Sequence, residues 1–334
     1  MSEFLKKYTI QISILFIIIG LCIIIISIII QPFNDWSFVV DPKLSGQFGS
    51  FIGGIVGPLF SLVAALLLYN TLVTQRKTLK QQKKSSKIER FESTFFNLSS
   101  TQQEIRNTIK TYVFTINEDM SIKRYNADGR EFFAYSKVEL SNLWKSINSD
   151  SYLGVYNSQT ADSFNNNLEE LNNPYSVNYT IPDDFEYKKS QLITIEKLKY
   201  ANHFYDVSKE IWSEAQDKDI VERIKLTYGL FFQKYHYAIG HYYRHLYHII
   251  DFTKQFGQSY DSSSQIALKY IDFIQAQMSS YEMMLLFYNA ISFPKLLALL
   301  IEFNFLENLA IEDLISEEHN CINGVNLKSI KNLI

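Results

Sequence analysis

The sequence predicts a mainly α protein in which an N-terminal two-helix transmembrane hairpin precedes a cytosolic helical domain carrying irregular Asn-rich insertions. Three observations predict it. Two long apolar segments stand near the N-terminus, basic residues follow the second of them, and apolar residues recur at three- and four-residue intervals through much of the remainder.

The first segment, Ile12 to Ile30, is almost entirely Ile, Leu and Phe, interrupted only by Ser13, Gly20, Cys22 and Ser27. About 20 apolar residues cross a hydrocarbon core of roughly 30 Å, so a span over about residues 10–30 is expected. A cleaved signal peptide has a shorter apolar region and a small-residue cleavage site, whereas this run ends in Gln31-Pro32-Phe33-Asn34-Asp35-Trp36. Cys22 follows Leu21 where a lipoprotein site needs a small residue, which argues against lipidation. The second span, over about residues 48–72, carries Gly49, Gly53, Gly57, Ser61 and Ala65 at every fourth position. Small residues at that interval let helix backbones approach closely in lipid, so this glycine zipper is the expected membrane-packing surface, against either another copy or the first span of the same chain. Neither span has an ionisable residue at its centre, so neither reads as an ion pathway.

Charge sets the expected orientation. Lys6 and Lys7 precede the first span, and the loop from Gln31 to Gln47 offers only Lys43 against Asp35 and Asp41. Arg76, Lys77, Lys80, Lys83, Lys84 and Lys87 follow the second span with no acid before Glu89. By the positive-inside rule both termini of this multi-pass chain are cytoplasmic and the short Trp36 loop faces outward. The basic cluster should lie against anionic headgroups of the lipid bilayer, its first partner. We therefore expect three parts: the hairpin over 1–72, a basic helical stalk over 73–90 and the cytosolic domain over 91–334.

Residues 1–88 carry a balance of +6, which leaves −9 for residues 89–334 out of a whole-chain charge of −3. An acidic domain repels phosphate backbones on average, so nucleic acid is disfavoured as a partner. Cys22 and Cys321 are the only cysteines; they supply neither a metal-ligand spacing nor a disulfide framework. No cofactor and no metal are expected.

Within the cytosolic part, the stalk should continue as helix through Phe91, Phe95, Phe96, Leu98 and Ile105. Asn126-Ala127-Asp128-Gly129 reads as a turn, followed by a helix through Phe132, Phe133, Val138, Leu140, Leu143 and Trp144. Asn-rich sequence from Asn157 to Asp184 predicts irregular connections. A long helix is expected around Tyr187 to Glu214, then three apolar segments at Val221–Phe256, Ser264–Ser292 and Phe293–Ile315. No repeat of 20–50 residues is present, which argues against a solenoid.

Two segments carry the candidate site residues. In the first, His241, His245 and His248 stand at i, i+4 and i+7 of an expected helix with Arg244 beside them. Seven residues span about 10.5 Å of helix axis, so all three imidazoles cannot reach one zinc ion at once; packing between helices is the better reading. In the second, Gln275, Glu282 and Asn289 are seven apart and form a polar line on an otherwise apolar helix. A buried Glu282 needs a partner, expected to be Arg244 or a neighbouring histidine; the alternative is that this line faces water.

Four ordered blocks resemble a known family. Phe48–Leu72 with its Gly-Pro-Leu-Phe-Ser-Leu, Phe91-Glu92-Ser93-Thr94-Phe95-Phe96-Asn97-Leu98, Gly240-His241-Tyr242-Tyr243-Arg244-His245-Leu246-Tyr247, and Ala276–Ser292 are together similar to the AbiC-like phage abortive infection protein family. The resemblance implies a bacterial defence protein that responds to infection by halting growth or killing the cell, with an unknown phage or host trigger. It makes Gly240, His241, Arg244, Tyr281, Glu282 and Asn289 candidate structural or functional positions, and it assigns no catalytic residue. Two outputs compete. In one, the second span homo-oligomerises through its zipper and permeabilises the membrane. In the other, the domain is a membrane-tethered helical RNase using Arg244, His245, His248 and Glu282. Such RNases often place four to six residues between Arg and His, and only three, His245 to Tyr247, stand between Arg244 and His248. An enzyme is therefore the weaker reading, beside a non-enzymatic scaffold for a partner effector.

Overall fold

The computed structural model describes residues 2–30, 42–116, 122–156, 182–260 and 265–333. The expected Trp36 loop and most of the Asn-rich stretch, including Asn165–Asn167 and Asn172–Pro174, lie outside the described residues. The protein is mainly helical and divides into two compact units, Met1–Glu92 and Ser93–Ile334.

In the first unit α1 covers Ser2–Ile30 and α2 covers Pro42–Phe51. A π-helical turn at Ile52–Val56 leads into α3, Gly57–Thr108. Gly53 and Gly54 sit in that π-turn, a widening of the helix that lacks side-chain crowding at these two residues. Two helices are long and apolar enough to cross a membrane: one through Tyr8–Ile26, with mean hydropathy 2.9, the other through Gly49–Thr108, with mean hydropathy 2.3 in its most apolar stretch. Hydroxyls inside these apolar runs turn back on their own helix, as Ser13 does to the Thr9 carbonyl at 2.8 Å and Ser61 to the Gly57 carbonyl at 3.0 Å. That pairing satisfies the hydroxyl within its own helix.

The second unit begins within α3 and contains a short antiparallel hairpin, β1 (Lys110–Ile116) and β2 (Ile122–Asp128), in the register Lys110↔Asp128 to Ile116↔Ile122. This hairpin was not anticipated: Asn126–Asp128 are strand residues, and the turn itself falls at Gly129. Thr111 and Val113 point inward while Tyr112 between them is exposed beneath the Arg124 guanidinium, 3.2 Å from the ring centroid. Gly129 adopts φ +53°, a conformation costly for residues with a Cβ, and donates its N–H to the Ile109 carbonyl at 2.9 Å.

Helix α4, Arg130–Ile147, buries Phe132, Phe133, Leu140, Leu143 and Ile147 against its neighbours. The expected long helix at Tyr187–Glu214 is instead two, α5 (Pro182–Phe204) and α6 (Lys209–Gln216). The break has a local cause. Asp206 is left-handed at φ +55°, Val207 N–H closes on the Asn202 carbonyl at 2.8 Å, and Ser208 caps α6 by accepting from Ile211 N–H. Helix α7, Ile220–Tyr260, crosses the core with Tyr228, Phe231, Tyr235, Tyr242 and Leu246 buried.

The Ser264–Ser292 segment is also divided, into α8 (Gln265–Gln275) and α9 (Ser280–Ser292), because Ser279 starts a new helix with a capping box. Beyond it only α10 (Pro294–Glu302) is α-helical. Pro294 sits in its first turn, where a missing N–H costs nothing, and short 3₁₀ turns follow at Ile311–Asp313 and Glu317–His319. Helix α9 packs on α4, α7 and α10, and ten consecutive residues from Glu282 to Ile291 are buried.

Candidate functional site

The break between α8 and α9 means that Gln275, Glu282 and Asn289 do not share one helix, yet all three are buried. Each is satisfied separately. Gln275 donates to the Phe305 carbonyl at 2.6 Å, and the Asn289 amide donates to the Tyr228 hydroxyl at 2.7 Å. Glu282 is the most demanding of the three, because its carboxylate has 0% exposure.

Four groups answer that demand. Glu282 Oε2 accepts from the Ser279 N–H at 2.8 Å while Ser279 Oγ accepts from the Glu282 N–H at 3.3 Å, the reciprocal capping box of α9. The carboxylate therefore sits at the positive end of the α9 dipole. Its Oε1 accepts from the Tyr242 hydroxyl at 3.1 Å and from Arg106 Nη1 at 3.5 Å, and Arg130 Nε stands 3.9 Å from Oε2. The expected partner, Arg244 or a histidine beside it, is thus corrected. Arg244 is exposed, and the cation that meets Glu282 is Arg106 at the end of α3. Burial and the proximity of Glu282 push the Tyr242 phenol well above its ordinary pKa of 10.0, so Tyr242 remains a donor.

The two arginines also converge on the α8–α9 connection. Arg106 Nη1 and Arg130 Nη2 both donate to the Gln277 carbonyl, at 3.4 and 3.1 Å. The Gln277 side-chain oxygen accepts from Ser99 at 3.2 Å and Gln103 at 2.7 Å. Gln102 donates to the Tyr242 carbonyl at 3.3 Å, and its Oε1 accepts from His245 Nδ1 at 2.8 Å, which assigns the ring proton to Nδ1. A cavity of about 20 Å³ opens between Ser99, Gln102, Arg106, Tyr242 and Gln277, room enough for one water. Chemically this is a latch: the carboxylate is saturated by donors, and it ties the start of α9 to the end of α3 and the start of α4.

The remaining candidates do not touch the Glu282 carboxylate, though His245 reaches the latch through Gln102. His241, Arg244 and His248 are exposed along α7, whereas His245 is half-buried; burial, then the nearby His241 and His248, push its pKa down. The rings of His241 and His245 lie 6.3 Å apart. Among the described residues no group of three His, Cys, Asp or Glu side chains could hold a metal ion. Gly240 is half-buried and Tyr281 is exposed, with the Lys137 ammonium 5.9 Å from its ring. In the first unit Gly49, Gly53, Gly57, Ser61 and Ala65 are all exposed, as are Arg76, Lys77, Lys80, Lys83, Lys84 and Lys87. A Cβ built on Gly49, Gly53 or Gly57 would meet no atom within 4 Å.

Sequence reasoning missed two further polar sites. Glu139 accepts from the buried Tyr205 and Tyr235 hydroxyls, the latter at 2.7 Å. His319, fully buried, lies edge-on to Trp144 at 4.3 Å between ring centroids. The Tyr288 hydroxyl accepts from the Ile315 N–H at 3.0 Å and is hydrogen-bonded to His319 Nδ1 at 2.8 Å. Burial lowers the His319 pKa to about 4. No periodic signal marks these contacts, because each joins residues far apart in sequence.

Residues 234–314 match a family model described as "Putative phage abortive infection protein". The match agrees with the resemblance carried by the sequence blocks. It covers Tyr242, His245, Glu282 and Asn289, while Arg106 and Arg130 lie outside it. No curated protein and no solved structure matches the chain.

Proposed function

We propose that this chain is a membrane-anchored phage defence protein whose second apolar segment associates with copies of itself after infection, breaching the permeability barrier and arresting or killing the cell. The family match at 234–314 supports the defence role, and the two apolar helices support the membrane site. The observation that carries the output is the open face of the zipper: Gly49, Gly53 and Gly57 have space where a Cβ would stand, so their backbones are available to another helix. In this reading both termini are cytoplasmic, and a phage or host trigger acts on the helical domain.

The test is induced expression with a membrane-potential dye and total RNA integrity read in parallel, with and without phage. Depolarisation is expected for wild type and for Arg244→Ala/His248→Ala, and its loss is expected for Gly53→Leu/Gly57→Leu. RNA decay that disappears only in the Arg244→Ala/His248→Ala variant would replace this reading with the tethered RNase. Arrest with neither signal would instead point to a scaffold for a partner effector.

A further inference from the structure

Where the second apolar run gives way to polar sequence, a crevice of about 520 Å³ is lined by Ile10 of α1 and by Leu67, Asn70, Thr71, Thr74 and Gln75 of α3. That volume lies within the range of small-molecule and lipid-headgroup sites. Its walls have two characters. Ile10 and Leu67 are apolar, whereas Asn70 and Gln75 carry amide donors. Thr71 and Thr74 spend their protons on the Leu67 and Asn70 carbonyls, both at 2.9 Å, which leaves their oxygens as acceptors only. Asn70 Nδ2 is buried without a hydrogen-bond partner. Neither threonine oxygen accepts from that amide, so a ligand that brings an acceptor to Asn70 Nδ2 satisfies a donor the protein leaves unpaired.

We infer that this crevice binds the phosphodiester of an anionic phospholipid, with an acyl chain against Ile10 and Leu67; the inference rests on the membrane reading above. Charge selects the ligand. Lys77 stands seven residues after Asn70 and three after Thr74, on the same side of α3, and Arg76 and Lys80 flank it. Lys6 and Lys7 precede Ile10 by about one turn, and no acid intervenes on α3 before Glu89. Basic pockets between membrane helices at the cytoplasmic surface are suited to phosphate headgroups. Asn70 Nδ2 supplies the oriented donor, and the lysines supply the preference for net negative charge.

The experiment uses the full chain in nanodiscs of mixed phosphatidylcholine and phosphatidylglycerol, with native mass spectrometry of the lipids retained after partial delipidation. Phosphatidylglycerol should be enriched over its bulk ratio by about fivefold, which corresponds to about 1 kcal/mol of preference. Asn70→Leu should return the ratio to bulk. Lys77→Gln, at an exposed position outside the crevice wall, should do so as well and guards against a folding defect. Retained lipid at the bulk ratio in wild type, or unchanged enrichment in both variants, would overturn the site. Thr71→Cys disulfides between chains that abolish lipid retention would overturn it too, by seating a second copy there. A chain that stays in solution without detergent or lipid would overturn the membrane reading together with the site.

Discussion

Helices α1 and α9 are both rich in large apolar residues, and the structure treats them in opposite ways. On α1 Ile14, Leu15, Ile25 and Ile26 are exposed, and on the apolar part of α3 Leu68 reaches 61%. On α9 Met284, Leu285 and Leu286 are at 0%. Water tolerates single exposed leucines but not two long helices of them, so the first pattern suits lipid and the second a protein core. Polar groups follow the same division. In α1 and the apolar part of α3 the Ser13 and Ser61 hydroxyls bond to their own helix, whereas around α9 every buried polar residue of the 275–289 line reaches another element. The lesson is that the two regions handle their apolar side chains differently, one leaving them exposed and the other burying them, and perturbations should separate them.

The largest effect is expected at the latch. Glu282→Ala leaves Arg106 without its carboxylate and removes half of the α9 capping box, a loss of about 3–5 kcal/mol by analogy with other broken buried pairs. Chemical denaturation followed by circular dichroism should show it in the second unit; an unchanged melting curve would mean that the pair is idle. Next comes His319. Its folded pKa of about 4 lies below the ordinary 6.5, so the unfolded chain binds the extra proton between these values. Stability from this residue is complete above pH 6.5 and falls as the pH drops from 6.5 to 4, by up to about 3 kcal/mol. Melting temperature against pH, compared between wild type and His319→Gln, isolates that slope. The smallest effect belongs to Arg244→Ala. It removes an exposed side chain without touching Glu282, so the stability change should stay within about 0.5 kcal/mol. A loss as large as that of Glu282→Ala would return Arg244 to the role first expected of it.

What the sequence revealed, and what it hid, follows the range of the forces involved. Long apolar runs, the helix through α7 and the start of α4 at Gly129 depend on neighbouring residues, and all three were legible. The burial of Glu282 was only half legible, because a polar line on an apolar helix fits either a buried, paired carboxylate or a face turned to water. Its partner was not. Arg106 lies 176 residues away, and several cations were equally eligible without the fold. The strands were hidden by brevity: the Thr111-Tyr112-Val113 alternation covers too few residues to outweigh the surrounding helical signal. The interruptions at Asp206 and Ser279 were overlooked for a different reason. Helical periodicity extends smoothly across a cap when both flanking helices bury a face, so the cap residues themselves had to be given more weight.

The double use of Glu282 has a consequence for local opening. The same carboxylate terminates the hydrogen-bond deficit of the first turn of α9 and holds the Arg106 side chain of α3. Neither end can fray without exposing the other, so amide protons around Ser279–Glu282 and around Arg106 belong to one cooperative exchange unit, with a single opening free energy.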